Sequence, residues 1–388
     1  MGRHSLPDDP AQRGTGSRPG ARRRTVLLAS GLLLAVAGGS VVALRGDLLP
    51  FGKPCDGPSV RLGVAASPDI APALQAVARR AREDATRTDG RCLDVTVTPR
   101  ASHELADSFG QRPADPEFQV WIPDSRLWVD RVGAENGTPL TAAATLASSP
   151  VTLAAVPRAA RALGWPGKTY DWTGLTQAAT SGGGIRLGLA DPARSATGLL
   201  ALSRTDATRA QDGRKGDDTR TAATATLLHQ RVADGDDQAM ATLPRDGSGA
   251  EQDNPRRNQA LLLSEQAAYA HNTGADGGPD LDLFYPSDGA AQLDYPYTLV
   301  DAEELTPEQT RAASRFMTLL VETEGQHTLR AHGFRAANGA AVPKVVEAAG
   351  GRAPQPYAAA PADPPSVKQL QALLGTWTVA AQAAPSPR

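Results

Sequence analysis

Between Val60 and Val132 the hydrophobic period of the chain switches back and forth, and this limits its possible folds more than any other feature. VRLGVAAS (Val60 to Ser67), LDVTVTPR (Leu93 to Arg100) and FQVWIPD (Phe118 to Asp124) are apolar or alternating runs of strand length. Each leads into a stretch with apolar residues three and four apart: DIAPALQAVARRAREDA, ASHELADSF and SRLWVDRV. Three strand–helix units in succession predict an α/β domain around a largely parallel sheet. Ligands bind such sheets beyond the carboxyl ends of the strands. Ser67, Asp124 and Ser125 fall at those ends.

The 388 residues suffice for two lobes with cores of their own. A net charge of −2 gives no reason to expect nucleic acid as a partner. Residues 1–24 are polar and basic, closing in Arg22-Arg23-Arg24. TVLLASGLLLAVAGGSVVAL (Thr25 to Leu44) is uncharged and about long enough to span a bilayer. The basic residues ahead of it put the N-terminus inside and the rest at the extracytoplasmic face of the cell membrane. A retained single-pass anchor is the favoured reading. A cleaved signal peptide stays open, with Ala35-Val36-Ala37 as the cleavage site and a secreted product. Residues 45–57 are a linker. Cys55 and Cys92 are the only cysteines, and in an oxidising compartment they most simply form one disulfide, with two buried thiols as the alternative.

Further along, LASSPVTLAAV (Leu146 to Val156) predicts a long strand crossing into a second lobe. IRLGLADPARSATGLLAL (Ile185 to Leu202) predicts a buried strand, a tight loop and a helix with hydroxyls in its first turn. Arg204 to Gln259 is polar and charged, with one helix near Ala222 to Val232. ALLLSEQAAYAHN (Ala260 to Asn272) predicts a strand then a short helix, and LDLFYPSDGAAQLDYPYTLV (Leu281 to Val300) two strands about a Pro-Ser-Asp-Gly turn. A pair of helices follows, the first with Thr306 as N-cap and Pro307 at its first position. The Ala/Pro/Gly-rich tail holds a last helix near Ser366 to Thr376 and ends in AAQAAPSPR, expected to be disordered.

FQVWIPDSRLWVDR, LASSPVTLAAVPRAARALGWP, LGLADPARSATGLLAL, LLLSEQAAYAHN, FYPSDGAAQLDYPYTLV and GQHTLRAHGFR occur in this order over roughly residues 58 to 340. Together they resemble the bacterial extracellular solute-binding family with the type II periplasmic-binding-protein fold. More narrowly, they are similar to actinobacterial membrane-anchored proteins that carry this module ahead of a von Willebrand factor A domain. No Asp-x-Ser-x-Ser metal motif occurs in the chain, so that domain and its Mg²⁺ site are not carried over. The resemblance implies two α/β lobes, 58–148 with 285–350 and 149–284, followed by a tail at 351–388. It also implies closure of the lobes on a ligand held between them. The implied function is capture of a small polar or anionic ligand, without cofactor or catalysis, with the membrane subunits of an ABC importer as partner. A cell-surface interaction or assembly module, with the same fold and no working ligand site, is the alternative.

In the resembling family the loop from Asp191 to Gly198 faces the cleft, which makes Asp191, Ser195 and Thr197 candidate ligand contacts. A helix start also binds anions readily, and a plain N-cap is the competing reading. Ser67, Asp124 and Ser125 would supply the opposite wall, or cap helices of their own. Trp128 is expected to pack on the sheet. Ser148 and Ser149 sit at the crossing between lobes. Glu265 follows an apolar run directly, facing a cationic or hydroxylated ligand, capping the helix or pairing with an arginine. Tyr285, with Asp294 and Tyr295, marks the return crossing, as a ligand contact or as a Tyr–Asp network locking a hinge. Enzymatic readings find no support: G-x-S-x-G, H-E-x-x-H, Walker and CxxC patterns are all missing. His327 and His332 are five apart on a predicted helix and fall on different faces. Ser181 to Gly184 precedes a strand, so it is a loop and not a phosphate cradle.

Overall fold

The computed structural model describes residues 55–109, 117–136, 139–180, 185–211, 228–274, 278–353 and 365–383. All belong to one body, Pro54–Arg388. The basic segment 1–24, the apolar run 25–44 and nearly all of the 45–57 linker lie outside the described residues. So do the loop 181–184 and most of the helix expected near Ala222. Among the described residues no helix is long and apolar enough to cross a membrane.

Twelve described strands form two sheets: β1 (Ser59–Ala66), β2 (Arg87–Thr88), β3 (Arg91–Pro99), β4 (Val120–Ile122), β5 (Leu140–Thr145), β6 (Ser149–Ala155), β7 (Leu187–Ala190), β8 (Val232–Ala233), β9 (Ala260–Ser264), β10 (Asp282–Phe284), β11 (Gln292–Leu293) and β12 (Pro296–Val300). The first sheet runs β2-β3-β1-β4-β12-β5. Its parallel centre, β3-β1-β4, is the three strands that alternate with helices in the sequence. The sheet as a whole is mixed, because β12 returns from far along the chain antiparallel to both β4 and β5, and β2 is antiparallel to β3. The second sheet runs β10-β6-β9-β7-β8, with β11 beside β6. Here β9, β7 and β8 are parallel and β6 is antiparallel to β9 and β10. Every residue of β6, β7 and β9 is buried, which explains their unbroken apolar runs.

The order of strands creates the site. In the first sheet β3 lies on one side of β1 and β4 on the other, so the connections diverge at β1. In the second, β8 and β9 flank β7 in the same way. Crevices open at such switch points, beyond the carboxyl ends of the strands.

Local chemistry places the helices. Ala71–Glu83 buries Ala71, Leu74, Val77, Ala78 and Ala81, a stripe at helical spacing. Pro307–Val321 starts at Thr306, whose hydroxyl accepts from Gln309 N–H while the Gln309 side chain accepts from Thr306 N–H. The long strand expected at 146–156 is shorter, since Ser148 pairs with Arg335 in an isolated bridge before β6 begins. The 281–300 segment makes three short strands instead of two. β10 and β11 stay with the second sheet and β12 joins the first. The last helix is longer than expected, Val367–Ala383, and takes in the first residues of AAQAAPSPR, while 384–388 lie outside the described residues. It is held by buried Leu370, Leu373, Trp377 and Ala380. Cys55 and Cys92 form a disulfide that closes a loop with a sequence separation of 37 and ties the approach to β1 onto β3.

Candidate functional site

The carboxyl ends of strands from both sheets face one cleft of about 1150 Å³. One wall carries Ser67 and Asp69 after β1, Ser102 after β3 and Asp124 after β4. The other carries Thr197 beyond β7 and Asp236 beyond β8. Space between the lobes is open, and polar groups from both walls share its lining with apolar residues such as Pro72, Met240, Leu243 and Leu293.

Asp69 is held from three directions. The Ser67 hydroxyl donates to Oδ1 at 2.5 Å and Ile70 N–H donates to the same oxygen at 2.8 Å. The Tyr295 hydroxyl donates to Oδ2 from the return crossing. Burial still holds the Asp69 carboxyl above the usual carboxylate range, against those bonds. Asp124 is 8% exposed, and the Trp128 indole N–H donates to its Oδ1 at 2.8 Å. Ser102 Oγ accepts from Asp124 N–H at 3.2 Å. Loss of solvent, then the nearby Asp69 charge, pushes the Asp124 carboxyl up to about 7. Asp236 receives the Ser195 hydroxyl, 3.1 and 3.0 Å from its two oxygens. Burial pushes Asp236 up to about 6, with the Ser195 bond opposing and the Asp69 charge adding.

Of the residues singled out from sequence, Ser67, Asp124 and Thr197 line the cleft together. Ser195 is 2% exposed and does two jobs: its oxygen accepts from Gly198 N–H at 3.1 Å as the cap of helix Ala196–Gln211, and its hydroxyl holds Asp236. Asp191 turns away to accept from Ala193 N–H at 3.0 Å and from the Trp377 indole at 2.9 Å. Ser125 Oγ donates to Asp294 at 3.2 Å and accepts from Leu127 N–H at 3.3 Å. Ser148 donates to the Ala336 carbonyl at 2.7 Å, and Ser149 accepts from Gln266 N–H at 3.0 Å. Both serines therefore sit at the crossing with their hydroxyls engaged.

Glu265 is fully buried and paired with Arg335, whose Nε and Nη2 lie 2.7 and 2.5 Å from its two oxygens. The Tyr285 hydroxyl donates to the same carboxylate at 2.6 Å. Tyr285, Asp294 and Tyr295 do not bond to one another. Each binds a partner from a different part of the chain: Glu265, Ser125 with Arg126, and Asp69. Trp128 packs into the core at 3% exposure.

Asp69, Ser102 and Asp236 line the cleft without having been singled out from the sequence. Asp69 stands two residues past Ser67 and could have been found by applying the strand-end rule one turn further. Asp236 follows β8, a strand of two residues, too short to leave a periodic signal. Among the described residues no group of three His, Cys, Asp or Glu side chains is placed to hold a metal ion.

Residues 62–335 match the family described as bacterial extracellular solute-binding protein. Two curated proteins from strains of Mycobacterium tuberculosis, both uncharacterized, are 29% identical to the chain over 300 residues, 72% of its length. The chain spans only 43% of the length of these relatives. Among solved structures, a periplasmic thiamin-binding protein aligns with a TM-score of 0.57 at 13% identity, covering 85% of this chain and 99% of that one. The sulfate-binding protein SubI of Mycobacterium tuberculosis gives 0.51 at 17% identity, covering 75% and 90%. Iron-bound HitA of Pseudomonas aeruginosa gives 0.53 at 13%, covering 83% and 99%. With a family match over most of the described body and two switch-point crevices facing one another, the chain belongs to the bacterial extracellular solute-binding proteins and has their two-lobed α/β fold.

Proposed function

We propose that this protein captures a small polar solute between its lobes, without chemistry, and presents it to the membrane subunits of an ABC-type importer. One observation carries the reading: the interlobe space is an open cleft of about 1150 Å³ into which both lobes turn polar side chains. A surface module that had lost its ligand would have that space filled by packed side chains. The structural relatives bind thiamin, sulfate and iron, so the fold by itself does not choose a ligand. The apolar run Thr25 to Leu44 would keep the protein at the outer face of the membrane, close to its transporter.

The test is thermal unfolding of the full chain with sugars, amino acids, oxyanions, organic cations and short peptides. A ligand that binds only the folded state adds about 2.7 kcal/mol of stability at a hundredfold excess over Kd. A rise in Tm with one class, lost in an Asp124→Ala, Thr197→Ala double variant, is the expected result. No rise with any class would favour the interaction module instead.

A further inference from the structure

Resting on the reading of the cleft as a solute site, we infer that its ligand is a cation: a small organic solute carrying at least one positively charged nitrogen with N–H donors. The juxtaposition that assigns this class is Asp69, Asp124 and Asp236, brought to one space by the carboxyl ends of three different strands in two lobes.

The charge lining the cleft is one-sided. Six carboxylates face it against two guanidiniums and three histidines. Arg194 is half exposed at the rim and paired with Asp234 at 3.3 Å, and Arg245 is exposed at the mouth. The three inner aspartates have no arginine or lysine partner among the described residues. Their hydrogen bonds come from neutral groups: Ser67, Ile70 N–H, Tyr295, Trp128, Ser195 and Thr197. Asp124 is buried and Asp69 and Asp236 half-buried, and carboxylates drawn this far out of water are ordinarily paired, so the partner this wall lacks is a positive charge.

The direction of those bonds separates a cation from an anion. A backbone N–H and an indole N–H can only donate. Ile70 N–H and Trp128 Nε1 therefore hold Oδ1 of Asp69 and Oδ1 of Asp124 as acceptors, and accepting oxygens are what an ammonium or guanidinium binds. An oxyanion would be repelled by each of these acids that is ionised. At the helix start that first suggested an anion site, the Gly198 N–H is taken by Ser195, and the same hydroxyl is bonded to an aspartate, which would repel an anion there. A bare metal ion fits poorly, since no three ligating side chains are grouped for one among the described residues. A cavity of about 1150 Å³ calls for a larger guest. Neutral sugars would satisfy the acceptors but leave the mutual repulsion of the three carboxylates in place.

The experiment is thermal unfolding of the full chain at neutral pH with agmatine, spermidine and thiamin as cations, sulfate and molybdate as oxyanions, maltose as the neutral probe, and zinc and ferric ions alone. The expected result is a rise in Tm with at least one organic cation and with no oxyanion. In Asp124→Asn and in Asp236→Asn the affinity for that cation should fall by at least about tenfold. The ligand-free Tm of each variant should rise, because a repelling charge has been removed without changing shape. That second readout also shows that the variants fold. A rise with an oxyanion, with maltose or with a metal ion alone would overturn the cation inference and leave solute capture standing. A lower ligand-free Tm in both variants would also overturn it, because the carboxylates would then be serving the fold. No rise with any probe would overturn both readings.

Discussion

Ser195 holds Asp236. Its hydroxyl lies 3.1 and 3.0 Å from the two carboxylate oxygens, while the same oxygen accepts from Gly198 N–H at 3.1 Å. One side chain thus ends a strand loop, starts a helix and fixes an acid in the cleft wall. Ser195→Ala removes the cap and should lower the stability of the chain by about 1 kcal/mol in urea unfolding. Asp236, stripped of its donor, should titrate at a higher pH in the variant. A Thr at the same position should restore most of the stability, and failure of that rescue would count against a capping role.

Gly198 follows from the same loop. A Cβ there would run into the carbonyl oxygen of Ala190, the last residue of β7. Because that neighbour is backbone, the helix itself must shift. Gly198→Ala should cost about 1–3 kcal/mol by denaturant unfolding and weaken ligand binding by displacing Thr197. Unchanged stability would mean that the helix does not seat on the strand end as described.

Glu265 and Arg335 form a pair that is 0% and 2% exposed, bound to each other through two hydrogen bonds and capped by Tyr285. Arg335 also joins its backbone to Ser148 at the crossing between lobes. Glu265→Gln leaves a buried guanidinium without its counter-charge and should destabilise the chain by about 3–5 kcal/mol. A joint Glu265→Gln, Arg335→Met variant should recover part of that loss. Equal stability of the single and double variants would remove the case for coupling across the crossing.

Acidification should stabilise the ligand-free protein. Asp124 titrates near 7 when folded, against about 3.9 for an unfolded aspartate, so the folded state holds the proton more tightly. The resulting stability is greatest below about pH 4, falls as pH rises towards 7, and is flat above. Asp236, raised to about 6, acts in the same direction. The groups facing Asp124 are Ser102, Trp128, Asp69, Asp236 and Tyr295, with His103 against the Trp128 ring and Glu104 on the same wall. Tm measured between about pH 5 and 7.5 should fall with pH more steeply in the natural chain than in Asp124→Asn. Parallel curves would show that Asp124 titrates normally.

Much of the framework was present in the order of residues. The alternation from Val60 to Val132 gave the parallel centre of the first sheet, the apolar runs gave β6, β7 and β9, and Thr306-Pro307 marked a helix start. These are local signals, carried by hydrophobic period and by capping chemistry between near neighbours. What the chain order could not state was which distant segments pair. β12 reverses direction inside the first sheet, β11 and β12 part company across two residues, and β8 is too short to have a period. The cleft itself belongs to this second kind of information. Ser67 and Asp124 were visible as strand-end residues, but Tyr295 reaches Asp69 across a separation of 226 and Ser195 reaches Asp236 across 41. A carboxylate's charge, burial and partners are set by whatever packs around it in space, so three aspartates became one acidic site only when two sheets faced each other.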